Sequence, residues 1–344
     1  MTGSALSFFP IALKPSERRD QCRLLVAKRS AKTKEHRHFY EIANEFRSGD
    51  CLVVNTSKVF GARIPFWVGE VRGDILIGKL PRSGEEAPVK LERRFGLLIK
   101  RSGGKVRFKD GSEGVIEIGA FDEASGAFLA RIVASSLIEQ LGETPLPPYI
   151  LKARRAAGLP ELEPSDLERY QCVYAEVPGS AACPTAGLHW TQELLDVLRA
   201  KGVLIAKLAL HVGFASMMHG VGLDRVPPEE CRLEESEAKR INQARRLGGR
   251  IIACGTSVVR ALESLADERG RVRPWQGPVE LFIRPSHPFR VVDAMITNFH
   301  LPESTNFLMT QAFLGADWNL ASLYALAAAE GYEFSSFGDA MMIL

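Results

Sequence analysis

Apolar and polar positions follow two different rhythms along this chain. Over residues 1–64 and 148–344, short and almost wholly apolar runs alternate with stretches of helical period. RLLVA, Cys51 to Val54, VLIAKLALHV, RIIACG, VELFI and VVDAMITNFHLPES are such runs, and unbroken apolar runs read as strands buried on both faces. Between them, TQELLDVLRAKG places Leu194, Leu195 and Leu198 on one helical face, with Thr191 as N-cap and Gly202 as stop. SVVRALESLADE, Ser304 to Leu314 and Leu320 to Gly331 are further helices, the last capped by Asp317, and a final strand spans Phe334 to Asp339. Near the N-terminus, His36 and His38 sit on an alternating hairpin arm, followed by a helix and a Ser-Gly-Asp turn into Cys51. From about Pro65 to Pro147 the rhythm changes. FWVGEV, DILIGKL, FGLLIK, KVRFK, GVIEIGAF and AFLARIV follow one another across turns such as SGGK and KDGSEG, with no helical pattern between them. Many short strands in series predict a small β-barrel or sandwich, and PLPPYI is the return linker. The expected fold is α/β: a main α/β domain from residues 1–64 with 148–344, and an inserted small β-barrel domain at 65–147.

Bulk composition narrows the function only a little. With 344 residues, 46% of them apolar, the chain can bury a large core. A formal charge of +3 gives no global nucleic-acid signature, so any basic surface is local. One such excess lies in Leu91 to Lys109, where Arg93, Arg94, Lys100, Arg101, Lys105, Arg107 and Lys109 face the single acid Glu92. It could track phosphates, or be a solvated strand face guarded against aggregation. Six scattered cysteines without a C-x-x-C pair argue against a zinc site or a disulfide framework and fit a reducing cytoplasm. No apolar run reaches the ~20 residues of a membrane span, and no basic segment precedes the weak apolar patch at the start, so neither membrane insertion nor a signal peptide is expected.

The chemistry gathers at strand ends. VLIAKLALHV ends in His211, RIIACG in Gly255-Thr256-Ser257, and the strand through Ile296 in Thr297-Asn298-Phe299-His300. In open α/β sheets ligands sit beyond the C-terminal strand ends. His189 stands at a helix entrance, after the small-residue turns Pro178-Gly179-Ser180 and Pro184-Thr185-Ala186-Gly187. The three histidines are candidates for general acid–base work near neutral pH, although one such histidine alone is more often structural. Asn55-Thr56-Ser57-Lys58 is a further polar loop after a strand. Arg260 and Glu263 are either a helix-surface pair or part of the same mouth. No phosphate-binding G-x-x-x-x-G-K-[ST], G-x-G-x-x-G, G-x-S-x-G or H-E-x-x-H occurs.

PPYI, RYQCVYAEVPGSAACPTAGLHWT, ALHVGF, ACGTSVVRALES, VVDAMITNFHLPEST and GYEFSSFGDAMMIL together resemble the S-adenosylmethionine:tRNA ribosyltransferase-isomerase family of queuosine synthesis. KPSERRDQCRLLV and LVVNTSKVFGARI extend the resemblance to most of the chain. It implies transfer and isomerisation of the ribosyl part of S-adenosylmethionine onto 7-aminomethyl-7-deazaguanine at the tRNA wobble position, with release of adenine and methionine. It implies no metal and no cofactor, S-adenosylmethionine being a co-substrate; a cytoplasmic location, as the cysteines suggest, and a monomer are expected beside it. His189, His211 and His300 are then the catalytic candidates. Thr185, Gly187, Gly255, Thr256, Ser257, Arg260, Thr297, Asn298 and Asp339 would shape the substrate pocket, and Arg93, Arg94, Lys100, Arg101, Lys105 and Arg107 would hold RNA. The chain departs from the family pattern at Ala215-Ser216, at ECRLEESE (where an H-x-M-H-x-E run is usual) and at Asn55-Thr56-Ser57-Lys58, which lacks the usual Asp. A non-catalytic tRNA-binding paralogue, or a transferase acting on another modified nucleoside, are the alternatives these departures leave open.

Overall fold

The computed structural model describes residues 9–81, 85–122, 126–132, 136–214, 226–302 and 304–344. Strands β1 (Arg23–Lys28) and β2 (Thr33–His38) form the expected hairpin, and a 3₁₀ segment, Phe39–Glu45, leads to β3 (Cys51–Asn55) and the short β4 (Ser57–Val59). Next come β5 (Arg63–Val68), β6 (Val71–Ile77), β7 (Glu86–Lys90), helix α1 (Arg93–Arg101), β8 (Lys105–Phe108), β9 (Glu113–Asp122) and β10 (Ala127–Ile132). Helices α2 (Ser136–Leu141), α3 (Pro148–Ala156) and α4 (Asp166–Arg169) return the chain to β11 (Val177–Ser180), α5 (Gln192–Ala200), β12 (Leu204–Leu210) and β13 (Glu229–Leu233). Then follow α6 (Glu235–Arg246), β14 (Ile251–Cys254), α7 (Thr256–Leu265), β15 (Trp275–Val279), β16 (Ala294–Asn298), α8 (Thr305–Leu314), α9 (Leu320–Ala329) and β17 (Ala340–Ile343).

Nine strands make one sheet in the order β15-β13-β12-β3-β14-β16-β17-β1-β2. Its middle four, β12, β3, β14 and β16, are mutually parallel. Their apolar runs are buried on both faces because alternate side chains point to opposite sides. Leu25, Val53, Ile251 and Met295 join the core under α6 to α9, whereas Leu24, Leu52, Ile252 and Ile296 join the core under α5 and Phe39–Glu45. Helix α5 is capped as expected, Leu194 N donating to Thr191 Oγ1 at 3.2 Å. The parallel directions place the ends of β12, β3, β14 and β16 along one edge.

Strands β5 to β10 pair in the circular order β10-β7-β6-β5-β8-β9, with β9 pairing back to β10. Ile64, Phe66, Ile75, Val89 and Phe108 fill the ring.

Several sequence readings are corrected here. FGLLIK is helix α1, not a strand: Phe95 and Ile99, four apart, are its buried contacts with the ring core. Four apolar residues in a row hid that spacing, and the strand actually present, Glu86–Lys90, contains a proline. VELFI is not a strand; the edge strand β15 lies earlier, at Trp275–Val279. Pro178-Gly179-Ser180 and Ser57-Lys58 pair as β11 and β4 rather than forming turns. PLPPYI turns into α3, with Pro148 at its first position, where a missing N–H costs nothing. Asn319, not Asp317, caps α9, accepting from Ser322 N at 2.9 Å. The last strand is Ala340–Ile343, because Phe334 to Asp339 is a turn-rich approach to it.

Candidate functional site

A cavity of about 930 Å³ opens at the edge where the four parallel strands end, between the sheet and the strand ring. This is at the upper end of the ~300–1,000 Å³ typical of small-molecule sites. Thr185, Gly255, Thr256, Ser257, Arg260, Thr297, Asn298 and His300 line it, so eight of the twelve candidate catalytic and substrate-binding positions meet there. The ring contributes Leu76, Lys90 and Glu92, and α3 contributes Tyr149 and Lys152.

His300 is the candidate histidine in the cavity wall. Its Nε2 lies 2.8 Å from Thr297 Oγ1, and its main-chain N–H donates to Tyr324 Oη at 3.1 Å. Thr297 Oγ1 donates to Asn298 O at 3.2 Å. When the hydroxyl proton is used there, Nε2–H donates to Thr297 and Nδ1 keeps the lone pair; when it is given to Nε2 instead, Nδ1 carries the ring proton. Burial lowers the ring pKa to about 4, so His300 is neutral at pH 7 and able to take a proton.

His189 is elsewhere. It is buried among Phe39, Cys22 and Asn298, behind the cavity wall rather than in it. Asn298 Nδ2 donates to Ser335 O at 3.2 Å, and a carbonyl can only accept, which fixes the amide orientation. The same nitrogen lies 3.1 Å from His189 Nε2, so that ring atom accepts and the proton sits on Nδ1, 3.1 Å from Cys22 Sγ. Burial, and secondarily the Arg19 charge, lower the His189 pKa to about 4. Both ring nitrogens are engaged, so His189 orients Asn298. Asn298 Oδ1 is buried and has no hydrogen-bond partner among the described residues.

His211 is also outside the cavity. Its Nδ1 lies 2.7 Å from Ser57 Oγ, which is 2.6 Å from Ser180 Oγ, and Val212 N donates to Ser180 Oγ at 2.9 Å. Burial lowers its pKa. Gly179, at φ 150°, passes so close that a Cβ there would stand 2.6 Å from the imidazole. This cluster ties β4, β11 and the end of β12 together.

Two pocket candidates, Gly187 and Asp339, are not among the residues that line the cavity. Gly187 packs where a Cβ would meet Tyr174 Oη at 2.2 Å and Cys172 Sγ at 2.5 Å. Asp339 accepts from Arg23 N at 2.6 Å and from Glu333 N at 2.8 Å, closing the turn before β17. Arg260 and Glu263 do not pair with each other: Arg260 contacts Glu229, and Glu263 accepts the main-chain N–H groups of Arg290, Val291 and Val292 at 2.8–3.0 Å. Asn55 is committed below the cavity, accepting from Leu210 N at 3.0 Å and donating to Leu210 O at 2.9 Å and Ser257 Oγ at 3.3 Å.

Among the candidate RNA-binding cations, Arg94, Lys100, Arg101, Lys105 and Arg107 do not line the cavity. Arg93, whose side chain is outside the described part, Arg94, Lys100 and Arg101 lie on α1, and Lys105 and Arg107 point outward on β8. Arg94 pairs with Glu92 at 2.6 Å, and Lys100 Nζ donates to Gly119 O at 3.3 Å. Ala215-Ser216 lies outside the described residues. The sequence reading missed Lys90, Lys152, Tyr149 and Ser336. Tyr149 Oη lies 2.6 Å from Ser336 Oγ, and burial raises its pKa, which keeps the phenol protonated. The only signal for either was membership of the PPYI and GYEFSSFGDAMMIL segments.

The family model described as queuosine biosynthesis protein matches residues 6–343. The chain belongs to this family. It is 40% identical over 352 residues to a protein named S-adenosylmethionine:tRNA ribosyltransferase-isomerase from Caldanaerobacter subterraneus, covering 97% of this chain and 96% of that one. The same name is carried by a relative from Symbiobacterium thermophilum, also 40% identical, over 343 residues and with the same coverage. Among solved structures, the crystal structure of S-adenosylmethionine tRNA ribosyltransferase from Thermotoga maritima aligns with a TM-score of 0.52 at 29% identity, covering 97% of this chain and 96% of that one.

Proposed function

We propose that the protein is an S-adenosylmethionine:tRNA ribosyltransferase-isomerase, and that the cavity at the sheet edge is where the ribosyl group of S-adenosylmethionine meets 7-aminomethyl-7-deazaguanine in the tRNA wobble position. The observation that carries the site assignment is the cavity itself. It is large enough for two substrates, is walled by residues at the ends of β12, β14 and β16, and holds a neutral histidine. Family membership supplies the reaction class.

The chemistry then follows from the residues. The sulfonium acidifies the neighbouring 5′ carbon of the ribose, and His300 Nδ1 takes that proton. Adenine leaves, taking up a proton, as the aminomethyl nitrogen bonds to C1′ and gives up one of its own. The C5′ carbanion then bonds to C1′ as the C1′–O bond breaks, and the freed ring oxygen closes onto C5′, expelling methionine and leaving the epoxycyclopentanediol group. Thr297 steadies the imidazole through Nε2, and the tilt of Asn298 is fixed from behind by His189. A wobble nucleotide must be splayed out of the anticodon to reach such a pocket. Lys90 and Lys152 are placed to meet the flanking backbone. The strand ring acts as a small inserted β-barrel domain that lays its α1 and β8 cations along the anticodon arm.

The test is adenine release from S-adenosylmethionine with tRNA carrying the aminomethyl-deazaguanine, beside unmodified tRNA. Adenine formed only with the modified tRNA, with the matching mass gain in its wobble nucleoside, supports the reading. A folded protein that binds this tRNA and releases none would sink it in favour of a binding paralogue.

A further inference from the structure

Helix α7 begins inside the cavity wall. Gly255, at φ 98°, turns the chain out of β14, and no side chain caps the helix. The first-turn N–H groups of a helix have no intrahelical acceptor, and they carry the positive end of its dipole. Thr256 and Ser257, which open α7, both line the cavity. One turn further on, Arg260 lines the same cavity at 8% exposure. Its Nη2 contacts Glu229 Oε2, and its Nε has no hydrogen-bond partner among the described residues. Glu229 is itself held in place, Oε1 accepting from Gly213 N at 2.8 Å. Burial lowers the Arg260 pKa to about 10, which leaves the guanidinium charged at neutral pH.

We propose that the uncapped start of α7 and the Arg260 guanidinium together form an anion subsite, and that it receives the α-carboxylate of the methionyl part of S-adenosylmethionine. The assignment rests on the ribosyltransferase reading and says which end of that substrate lies against β14. Helix N-termini and guanidinium groups both bind two-oxygen anions through parallel N–H donors. A carboxylate and a tRNA phosphate share this chemistry. Position favours the carboxylate: Arg260 is buried at the sheet edge, whereas the exposed cation at the cavity is Lys152 on α3. Glu229 balances Arg260 when the subsite is empty. Its contact at Nη2 also fixes the plane of the guanidinium before the ligand arrives.

The test compares S-adenosylmethionine with its decarboxylated form by calorimetry, on the protein alone and on the protein saturated with the modified tRNA. Wild type is expected to bind the intact molecule roughly 10- to 100-fold more tightly, the range for hydrogen bonds to a charged group. Removing Arg260 alone would strand Glu229 in the core, so the variant is the neutral pair Arg260→Gln with Glu229→Gln, in which the preference should collapse. Equal affinities on wild type would overturn the subsite, independently of any variant's folding, and leave the enzyme reading standing. A preference retained in the double variant would overturn it as well. Unchanged discrimination together with weaker tRNA binding and a shallower salt dependence would assign the anion to a phosphate and overturn the carboxylate. Failure to bind either compound, with or without tRNA, would overturn both the subsite and the enzyme reading.

Discussion

On the sheet side of the cavity, Thr297 and Asn298 at the end of β16 and Ser257 in the first turn of α7 are fixed by hydrogen bonds to His300, His189 and Asn55. On the ring side, Lys90 and Glu92 flank the end of an antiparallel strand, with Lys90 Nζ 4.8 Å from the Phe214 ring and Glu92 paired to exposed Arg94. The first wall is pre-organised, as groups that act on a reacting bond must be. The second offers long, charged, adaptable side chains, which suit a polyanion gripped by its backbone. The comparison separates chemistry from RNA capture, and each wall should fail in its own way.

The largest effect is expected on the sheet side. His300→Gln should slow adenine release by about 10²- to 10⁴-fold, the usual weight of a general base, with little change in tRNA affinity. Single-turnover assays at saturating tRNA check this. Comparable in size, but acting on stability, is the support of α3, the helix that brings in Tyr149 and Lys152. Arg154 is fully buried, makes two bonds of 2.6 and 2.9 Å to Asp166, and also donates to Leu13 O and Glu161 O. Asp166→Ala should cost roughly 3–5 kcal/mol in denaturant unfolding, because it leaves an unpaired buried charge.

A third prediction concerns pH. His189 has a folded pKa of about 4 against an ordinary value of 6.5. The unfolded chain therefore binds the proton more readily, and stability rises with pH across that interval. The His189 contribution should be constant above about pH 6.5 and fall by about 3 kcal/mol as pH drops towards 4, beside a like loss from His300, whose pKa is also lowered to about 4. His189→Gln should remove about half of this loss, leaving the His300 share, in urea titrations at pH 7 and pH 4.5. An equally steep loss in the variant would move the acid sensitivity elsewhere. The smallest effects belong to the ring. Removing one of Arg94, Arg101, Lys105 or Arg107 should lower tRNA affinity modestly and reduce the salt slope by about one where that cation meets a phosphate, leaving the rate at saturating tRNA in place.

The two sides also differ in how far sequence reveals them. The sheet was legible because unbroken apolar runs such as Ile251–Cys254 can only be buried strands, and because Gly255 and Thr191 punctuate them with turn and cap chemistry. That reasoning placed Thr297, Asn298 and His300 on one edge with Gly255 to Ser257. It could not tell His189 and His211 from His300. All three follow strand or turn signals, and only packing against Cys22, or against Ser57 and Gly179, removes the first two from the cavity. Nor could it separate Asp339, whose carboxylate closes a local turn, from a ligand contact. In the ring, short elements carry too few residues to fix a period, so α1 passed for a strand and Glu86–Lys90 went unseen. Lys90 and Lys152 reach the cavity only through tertiary folding, and no local pattern marks them.

The most direct measurement is the single-turnover rate of adenine release against pH for wild type, His300→Gln and His189→Gln, with modified tRNA saturating. If His300 is the base, His300→Gln loses the rate and its acid limb together. His189→Gln is then slowed to a lesser degree, with the wild-type acid limb retained, because it only misplaces Asn298. An acid limb that vanishes in His189→Gln while His300→Gln keeps both rate and limb would contradict the assignment of the catalytic wall.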